Sequence, residues 1–543
     1  MTIMNHIFAF AQLVAYVALI WRFITPETRL QGTMRGVGIF GLIFASICFF
    51  VVPDWGARNV FNLEGTLVSF VGLFLLAAFF AYKNAGDDAG GHIRGARVVD
   101  ESAVAQMLRN VASRFRVGAV PVPTSLETRG FLLAGSPGTG KSQALTAALD
   151  ALRAQNARAV LADASGIYAS RYYNEKYDII INPFDARCVP WSPLAEIESE
   201  ADIPALAKSM IPDIEGPGNE WNNYAQTALE AILQYCYETG GTNGTLFELA
   251  VVADVARLRE VFAGTAAFTY VSEENGKFWG SVRSVLSSYI KSYKYLNPDA
   301  GVDGFSIRKH IVEQRPGWIF LTYQQQHRDA LKSLIGACVD IAARAVLSLP
   351  PSLDRRVVFA LDEMPLLGKV QSIVDLATNG RKHGAVIFAG LQTIAQVRDC
   401  YGRETAQTLL SCLGSWLVLR VSDAETADYM SRYLGEEEKI RIVESTSENK
   451  GEFGSMQSSK SKSQQQQYTQ SRVVLPSELQ GLPDLNGYFN LAGDTPTARV
   501  RLTVQRERKV AEAFVPAPPR RRAAAQQQSH AQQSESADND LTV

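Results

Sequence analysis

An eight-residue run carries a complete phosphate-binding signature: Gly135-Ser136-Pro137-Gly138-Thr139-Gly140-Lys141-Ser142. It matches the pattern G-x-x-x-x-G-K-[ST] at every specified position. Apolar residues 131–134 before it predict a strand, and the good helix formers of 144–152 after it predict a helix. Glycines let a backbone wrap phosphate groups closely, and amide N–H groups at a helix start point at the anion. The run therefore predicts an α/β P-loop domain. All eight residues of the run would bind ATP, with Lys141 at the β- and γ-phosphates and Ser142 on Mg²⁺.

A second signature lies far downstream, in segment 356–363 (RVVFALDE), an apolar strand that ends in two acids. In α/β folds, ligands bind at the carboxyl edge of the parallel sheet, where such side chains emerge. We expect Asp362 to hold Mg²⁺ through water and Glu363 to polarise the attacking water as the catalytic base. Many strands end in an acid, so this pattern indicates a catalytic site only because the phosphate-binding run is also present.

Three more polar residues each have two interpretations. Gln392 follows the apolar segment 385–391 and would face the γ-phosphate as a sensor, or cap the strand as an ordinary amide. Arg381 would act as an arginine finger supplied across a subunit boundary, or stay a solvated surface residue. From spacing alone the surface interpretation of Arg381 is favoured. Arg129, just before the phosphate-binding strand, has the same ambiguity.

The α/β alternation is interrupted after strands predicted at 159–163 and 177–181. The next buried strand is 318–323, and residues 182–317 show helical periodicity with little β signal. We therefore predict a discontinuous ATPase domain, 98–185 and 315–510, with an inserted all-α domain at 186–314.

Aromatic and basic side chains alternate near the end of this insertion, at Tyr289, Lys291, Tyr293, Lys294 and Tyr295. Such a set suits base stacking and phosphate contact in a nucleic-acid complex. On a helix, however, Tyr289 and Tyr293 lie one turn apart on one face, which is typical of a packed core. The core interpretation is the favoured one.

The first eighty or so residues contain three apolar runs, 7–21, 37–52 and 67–82. Each is slightly shorter than the roughly 20 residues of a spanning helix, and flanking residues extend them. They predict a transmembrane anchor at 1–83, followed by a small, polar linker at 84–97. Lys and Arg are concentrated after the first and third runs, which places the C-terminal portion in the cytoplasm. A two-span arrangement remains an alternative.

Composition restricts the remaining choices. The 543-residue chain has a formal net charge of −2, so nucleic-acid contact requires a local basic patch. Its six cysteines are scattered without a C-x-x-C pair, which indicates neither a disulfide framework nor a zinc site. Residues 444–471, rich in Ser, Gln and Lys, predict a mobile loop, and 511–543 predict a disordered tail.

These motifs together resemble those of the TrwB/TraD-type coupling proteins of bacterial conjugation and type IV secretion. The likeness covers about residues 98–506 and includes GSPGTGKS, the ALDE strand, TNGRKHG, FAGLQT and LPSELQGLPDLNGY. It implies a RecA-like fold that assembles as a homo-hexamer around a central channel. The anchor departs from the family, since three apolar runs stand where two spans are usual.

The resemblance also implies roles and partners. Lys141, Ser142, Asp362 and Glu363 match the phosphate, magnesium and catalytic positions of the family. Arg381 falls at the position of the family's trans-acting arginine. The resemblance therefore favours the arginine finger over the surface interpretation that spacing alone favours. Gln392 falls at its γ-phosphate sensor and Arg129 at a further nucleotide contact.

A member of this family would sit in the bacterial inner membrane, among membrane lipids, with a cytoplasmic ATPase domain. It would receive relaxase-bound single-stranded DNA from the relaxosome and pass it to inner-membrane components of a type IV secretion channel. Two alternatives stay open. One is an ATPase that powers protein secretion or pilus assembly without DNA, and the other is an adaptor that binds nucleotide without hydrolysis. The pair Asp362 and Glu363 counts against the adaptor.

Overall fold

The computed structural model describes residues 92–449 and 459–518. The three apolar runs, the linker up to residue 91 and the tail from residue 519 lie outside these residues. In the described ranges, no helix combines the length and hydropathy needed to cross a membrane. The described residues form two compact units, one with Ala96–Glu436 and residues 472–518, the other with residues 92–95 and the described part of Glu437–Ser471.

The regular elements are numbered in chain order. The strands are β1 (His92–Gly95), β2 (Val98–Asp100), β3 (Ser113–Val117), β4 (Val120–Pro123), β5 (Phe131–Ala134), β6 (Arg158–Ala164), β7 (Ile179–Ile180), β8 (Trp318–Tyr323), β9 (Val357–Leu361), β10 (Ala385–Leu391), β11 (Ser415–Val418), β12 (Glu436–Asn449), β13 (Ser459–Arg472), β14 (Asn486–Asn490) and β15 (Thr497–Arg501). The α-helices are α1 (Glu101–Met107), α2 (Lys141–Ala154), α3 (Ile167–Tyr172), α4 (Ile203–Met210), α5 (Asn219–Thr239), α6 (Asn243–Phe247), α7 (Val255–Val261), α8 (Gly276–Ile290), α9 (Ile307–Val312), α10 (Arg328–Ser348), α11 (Gln371–Asn379), α12 (Ile394–Tyr401), α13 (Arg403–Cys412), α14 (Ala424–Leu434) and α15 (Pro476–Gln480).

A ten-stranded sheet organises the larger unit, in the order β2-β15-β14-β11-β5-β10-β9-β6-β8-β7. From β11 to β7 every neighbouring pair is parallel, and β14 closes on β11 in the antiparallel sense. Strands β5, β8, β9 and β10 are buried along their whole length, as expected for apolar runs covered on both faces. The parallel order brings the carboxyl ends of β5, β6, β9 and β10 to one edge of the sheet.

Helices fill the fully described stretch between β7 and β8. Its α-helices, α4 to α9, are joined by short 3₁₀ and π turns, as the periodicity of residues 182–317 predicts. Their apolar residues share one continuous core with the sheet face that carries Leu132, Val160 and Ile319. The insertion is therefore seated on the sheet through a common core, and its limits as a domain remain a prediction.

The aromatic–basic pattern of the insertion belongs mainly to this core. The Tyr293 side chain is 1% exposed, and Tyr289 packs against the same core. Asn222 Nδ2 donates a hydrogen bond to Tyr289 Oη at 3.1 Å. The Tyr295 ring lies 4.8 Å from the Phe184 ring, centroid to centroid. The core interpretation of these tyrosines is confirmed.

In the smaller unit, residues 444–449 and 459–471 form strands where the sequence predicts a mobile loop, and residues 450–458 lie outside the described residues. Strands β12 and β13, each 14 residues long, form a sheet in the order β1-β12-β13. Arg94 Nε donates to Glu438 Oε2 at 2.6 Å where β1 meets β12. The loop was predicted because this segment has too few apolar residues to form a core. A β-ladder does not need such a core, because it satisfies the backbone N–H and C=O groups of polar strands.

The first part of the predicted disordered tail is also ordered. Residues 505–517, here called the C-terminal strap, run across α3 and the loop after β7. Gln505 N donates to the side-chain Oε1 of Gln143 (2.7 Å). The backbone–backbone bonds of the strap include Val510 N to Ser170 O (2.9 Å), Ala186 N to Val515 O (2.8 Å) and Ala517 N to Phe184 O (2.8 Å). The prediction for 511–517 is corrected because backbone pairing of this kind leaves no trace in composition.

Candidate nucleotide-binding site

The phosphate-binding run forms the turn between β5 and α2. Gly138 and Gly140 have φ angles of 77° and 118°, a region that other residues rarely adopt. A Cβ atom added at Gly140 would also lie 2.9 Å from Leu485 Cδ2. Glycine is thus required at Gly140 by conformation and by space. The turn directs the N-terminus of α2 at the carboxyl edge of the sheet, as a phosphate site needs.

Lys141 begins α2 and is buried in this turn, with 9% of its surface exposed. Its Nζ donates hydrogen bonds to Gly135 O and, at 3.3 Å, to Ser136 O. Burial lowers the pKa of Lys141, while the nearby carboxylates of Asp362 and Glu363 act in the opposite direction. The ammonium group is therefore held between the turn and the acid pair, where a phosphate chain would be neutralised.

Asp362 follows β9 and meets the phosphate-binding turn. Its Oδ2 accepts hydrogen bonds from Ser142 Oγ at 2.8 Å and from Tyr168 Oη at 3.0 Å. Its Oδ1 is buried and has no hydrogen-bond partner among the described residues. A buried carboxylate oxygen beside a hydroxyl is a donor set that Mg²⁺ prefers, since this ion takes oxygen ligands from carboxylates and phosphates. The residues present fit a magnesium–nucleotide complex.

Glu363 and Gln392 face each other at the ends of β9 and β10. Gln392 Nε2 donates a hydrogen bond to Glu363 Oε1. Burial raises the pKa of Glu363, and Lys141 offsets part of that rise. A raised pKa brings a carboxylate closer to the basicity that proton abstraction from water requires. The amide of Gln392 thus contacts this carboxylate directly, and its role as a γ-phosphate sensor stays a prediction.

Close approach of β9 and β10 depends on Gly390. A Cβ atom added there would lie 1.8 Å from the carbonyl oxygen of Asp362, which is far inside van der Waals contact. An isolated glycine within a strand often marks such an approach of two backbones. The absent side chain lets the acid pair and Gln392 share one edge.

These residues line a cleft of about 390 Å³. Its walls are Pro137, Gly138, Gly140, Lys141, Ser142, Gln143, Ala162, Ala164, Tyr323, Asp362, Glu363 and Gln392. The structure thus brings the phosphate-binding run, the acid pair and the predicted sensor together at the carboxyl edge.

Two predicted residues lie at the opposite edge. Arg129 ends a 3₁₀ turn before β5, and Arg381 lies in the 3₁₀ turn Gly380–His383 before β10. Both turns sit at the amino ends of neighbouring parallel strands, and β10 alone spans seven residues, roughly 20 Å at about 3.3 Å per residue. Arg381 is exposed and has no ion pair or side-chain hydrogen bond within the described chain. Neither arginine lines the cleft.

Sequence reasoning missed Tyr168 and its support, Asp163. Asp163 is the penultimate residue of β6 and accepts hydrogen bonds from Tyr168 N at 3.2 Å and Ala169 N at 2.7 Å. Burial raises the pKa of Asp163 to about 7. Residues Ser165 and Gly166 make the turn between them, both with φ of 70°. The available signal was an acid at the end of the predicted strand 159–163, the next strand along the chain after the phosphate-binding strand, followed by a glycine turn.

A family profile described as "Type IV secretion-system coupling protein DNA-binding domain" matches residues 114–503. This chain belongs to that family. The coupling protein is 27% identical to coupling protein TraD of Escherichia coli over 453 residues, which cover 82% of this chain and 62% of TraD. Conjugal transfer protein TraG of Agrobacterium fabrum is 25% identical over 232 residues, 41% of this chain and 34% of TraG.

Solved structures of the plasmid coupling protein TrwB share its fold. TrwB in complex with the ATP analogue ADPNP superposes with a TM-score of 0.70 and 32% identity, over 79% of this chain and 98% of that one. TrwB in complex with ADP and Mg²⁺ gives a TM-score of 0.70 and 32% identity, over 78% and 98% of the two chains. The predicted α/β, RecA-like fold and the coupling-protein family are confirmed.

Proposed function

We propose that this coupling protein is a membrane-anchored, hexameric ATPase that pumps single-stranded DNA from the relaxosome into a type IV secretion channel. The observation that carries the proposal is the hydrogen bond of 2.8 Å between Ser142 Oγ and Asp362 Oδ2. It joins the phosphate-binding turn to the acid pair in one cleft. Hydrolysis of a magnesium-bound triphosphate requires both parts within reach of one ligand.

The cleft suits hydrolysis for reasons of charge and position. Backbone N–H groups of residues 138–142 and the Lys141 ammonium group bind the phosphates, while Ser142 and Asp362 hold Mg²⁺. When bound, Mg²⁺ neutralises phosphate charge and fixes the phosphate geometry. Glu363, with its pKa raised by burial, accepts the proton of the attacking water. Gln392 orients Glu363 and senses the γ-phosphate.

A ring explains the opposite placement of the arginines. In the proposed ring, the amino edge of one sheet faces the nucleotide cleft of the neighbouring subunit. Arg381, exposed there and without a side-chain partner among the described residues, then stabilises the charge of the neighbour's transition state as an arginine finger. Arg129, before the adjacent strand, contacts the same nucleotide from the same side. Both residues act between subunits in a homo-hexamer.

The comparisons support the cargo, and the apolar runs of the sequence support the location. The matched family description names a DNA-binding domain of a secretion-system coupling protein. The relatives are named for coupling and conjugal transfer, and TrwB was solved with ADPNP and with ADP and Mg²⁺. Residues 1–83 anchor the chain in the bacterial inner membrane as a multi-pass segment, with the ATPase portion (98–185 and 315–510) and the insertion (186–314) in the cytoplasm. Relaxase, secretion-channel components and membrane lipids are the partners.

The decisive experiment compares ATP hydrolysis by the full chain in lipid nanodiscs with and without single-stranded DNA. We expect DNA to stimulate the rate, because grip on the phosphate backbone and nucleotide turnover are coupled in a DNA motor. The Glu363→Gln variant serves as the control for contaminating hydrolysis. A rate of ATP hydrolysis that is the same with and without DNA would instead support an ATPase for protein secretion or pilus assembly. Nucleotide binding without any turnover would support an adaptor.

A further inference from the structure

The hydroxyl of Tyr168 is tied to the proposed magnesium ligand. Tyr168 is 3% exposed, and its Oη donates to Asp362 Oδ2 at 3.0 Å. Ser142 Oγ donates to the same oxygen at 2.8 Å, so two hydroxyls from different elements hold one carboxylate oxygen. The other oxygen, Oδ1, has no partner in the described part of the chain. The carboxylate is thus fixed through one oxygen while the second stays available.

The helix that carries Tyr168 is fixed from both ends. At its start, the Asp163 carboxylate accepts the backbone N–H groups of Tyr168 and Ala169. Toward its other end, Ser170 O accepts Val510 N at 2.9 Å, and Ser170 Oγ donates to Ala511 O at 3.0 Å.

The strap also passes close over the turn before α3. A Cβ atom added at Gly166 would lie 2.2 Å from Ala513 O. Helix α3, only six residues long, therefore takes its position from β6 and the C-terminal strap. A helix held in this way places a hydroxyl with the accuracy that orientation of a ligand requires.

We propose that Tyr168 is a positioning residue that orients Asp362 for Mg²⁺. The proposal rests on the ATPase function proposed above and adds a residue to its site. A hydroxyl that supports a ligating carboxylate fixes its direction, and loss of such support typically weakens metal binding by about 10- to 100-fold. The alternative is a purely structural role, in which Tyr168 is a core tyrosine whose hydroxyl donates to the nearest acceptor.

The chain offers a matched control on the same helix. Tyr172 is also buried, and its Oη donates to a carboxylate, Asp150 Oδ1, at 2.8 Å. Tyr168→Phe and Tyr172→Phe therefore each remove one buried hydroxyl from α3, and only the first touches Asp362. Both variants of the full chain are compared with the unaltered protein for ATP affinity in excess EDTA, ATP affinity and hydrolysis across a Mg²⁺ titration, and thermal unfolding without metal.

We expect Tyr168→Phe to keep its ATP affinity in EDTA and to unfold within a few degrees of Tyr172→Phe. Its half-maximal Mg²⁺ concentration, for both the gain in ATP affinity and hydrolysis, should rise about tenfold. Tyr172→Phe should titrate with Mg²⁺ like the unaltered protein.

Two results would overturn the proposal. One is a Mg²⁺ titration of Tyr168→Phe that matches Tyr172→Phe. The other is an equal loss of ATP affinity with and without Mg²⁺, which a purely structural role predicts. If the unaltered protein binds ATP but does not hydrolyse it, the proposed function fails. The Mg²⁺-dependent gain in ATP affinity then still decides the role of Tyr168.

Discussion

Ser142 and Asp362 stand 220 positions apart in the chain and meet through a hydrogen bond of 2.8 Å. Between them lie the whole helical insertion and three of the strands that build the cleft. The bond joins the residue after the phosphate-binding lysine to the residue after β9. Each chemical prediction below depends on this junction, because it makes one ligand site from two distant motifs.

Lys141→Ala should abolish ATP binding. The ammonium group lies in the turn beside the acid pair, and its loss leaves the triphosphate charge facing Asp362 and Glu363 without compensation. Isothermal titration with ATP and Mg²⁺ measures the effect. Lys176→Ala removes an exposed lysine of the same unit and should bind ATP normally. Retained affinity in Lys141→Ala would show that the turn is not the phosphate site.

Glu363→Gln should bind ATP and Mg²⁺ normally and hydrolyse ATP about 10²- to 10⁴-fold more slowly, the usual contribution of a general base. The substitution keeps size and leaves an oxygen to accept the Gln392 hydrogen bond. Because the carboxylate form is the base and burial raises its pKa, hydrolysis by the unaltered protein should fall as pH decreases. Steady-state rates across pH test both statements. A variant with full activity would exclude Glu363 as the base.

Arg381→Ala should leave ATP binding intact and reduce hydrolysis about 10³- to 10⁵-fold, the range for an arginine finger. The matched control is Lys382→Ala, which removes the adjacent exposed cation of the same 3₁₀ turn. That control should retain activity.

Mixed oligomers test whether Arg381 acts across subunits. Inactive Lys141→Ala subunits still carry Arg381, so mixing them with Arg381→Ala subunits should restore part of the hydrolysis. Activity that stays at the level of the separate variants would contradict action in trans. Normal turnover by Arg381→Ala alone would rule out the finger.

His310, on α9 of the insertion, should make stability sensitive to acid. Burial lowers its pKa from 6.5 to about 4, and Arg315 and Arg158 add to that effect. Between these values the unfolded chain binds a proton that the folded chain does not, so stability falls as pH decreases. The unfolding free energy of the unaltered protein relative to His310→Leu should drop by up to about 1.4 kcal/mol per pH unit. Urea unfolding of both proteins between pH 7 and 5 measures this; a pH-independent difference would contradict it.

The phosphate-binding turn and the acid pair could be predicted because each is a contiguous signature whose chemistry fixes its local structure. Segments 131–134 and 385–391 are strands with the bounds the sequence predicts, since unbroken apolar runs suit a sheet buried on both faces. The parallel order then follows from alternating strands and helices. Features that depend on one contiguous segment could therefore be predicted from the sequence.

Tyr168 and the C-terminal strap could not be predicted in that way. Tyr168 meets Asp362 only because α3 is placed by Asp163 and by backbone bonds from residues 510 and 511. Backbone bonds carry no residue preference, so the strap has no signature in its composition. The same holds for β12 and β13, whose ladder pairs polar strands. Arg129 was assigned its role by resemblance, although its place before the phosphate-binding strand already put it at the opposite edge of the sheet.

Gly390 has no functional group, yet the acid pair depends on it. A single methyl group at this position would compete for the space of the Asp362 carbonyl oxygen, 1.8 Å away. Alanine, ordinarily the mildest replacement in a mutational scan, would therefore displace Asp362 while leaving every chemically active side chain in place. Inventories of active sites drawn from reactive groups alone would overlook such a position. In this sheet, the absence of a side chain at Gly390 matters to the site as much as the presence of a carboxylate.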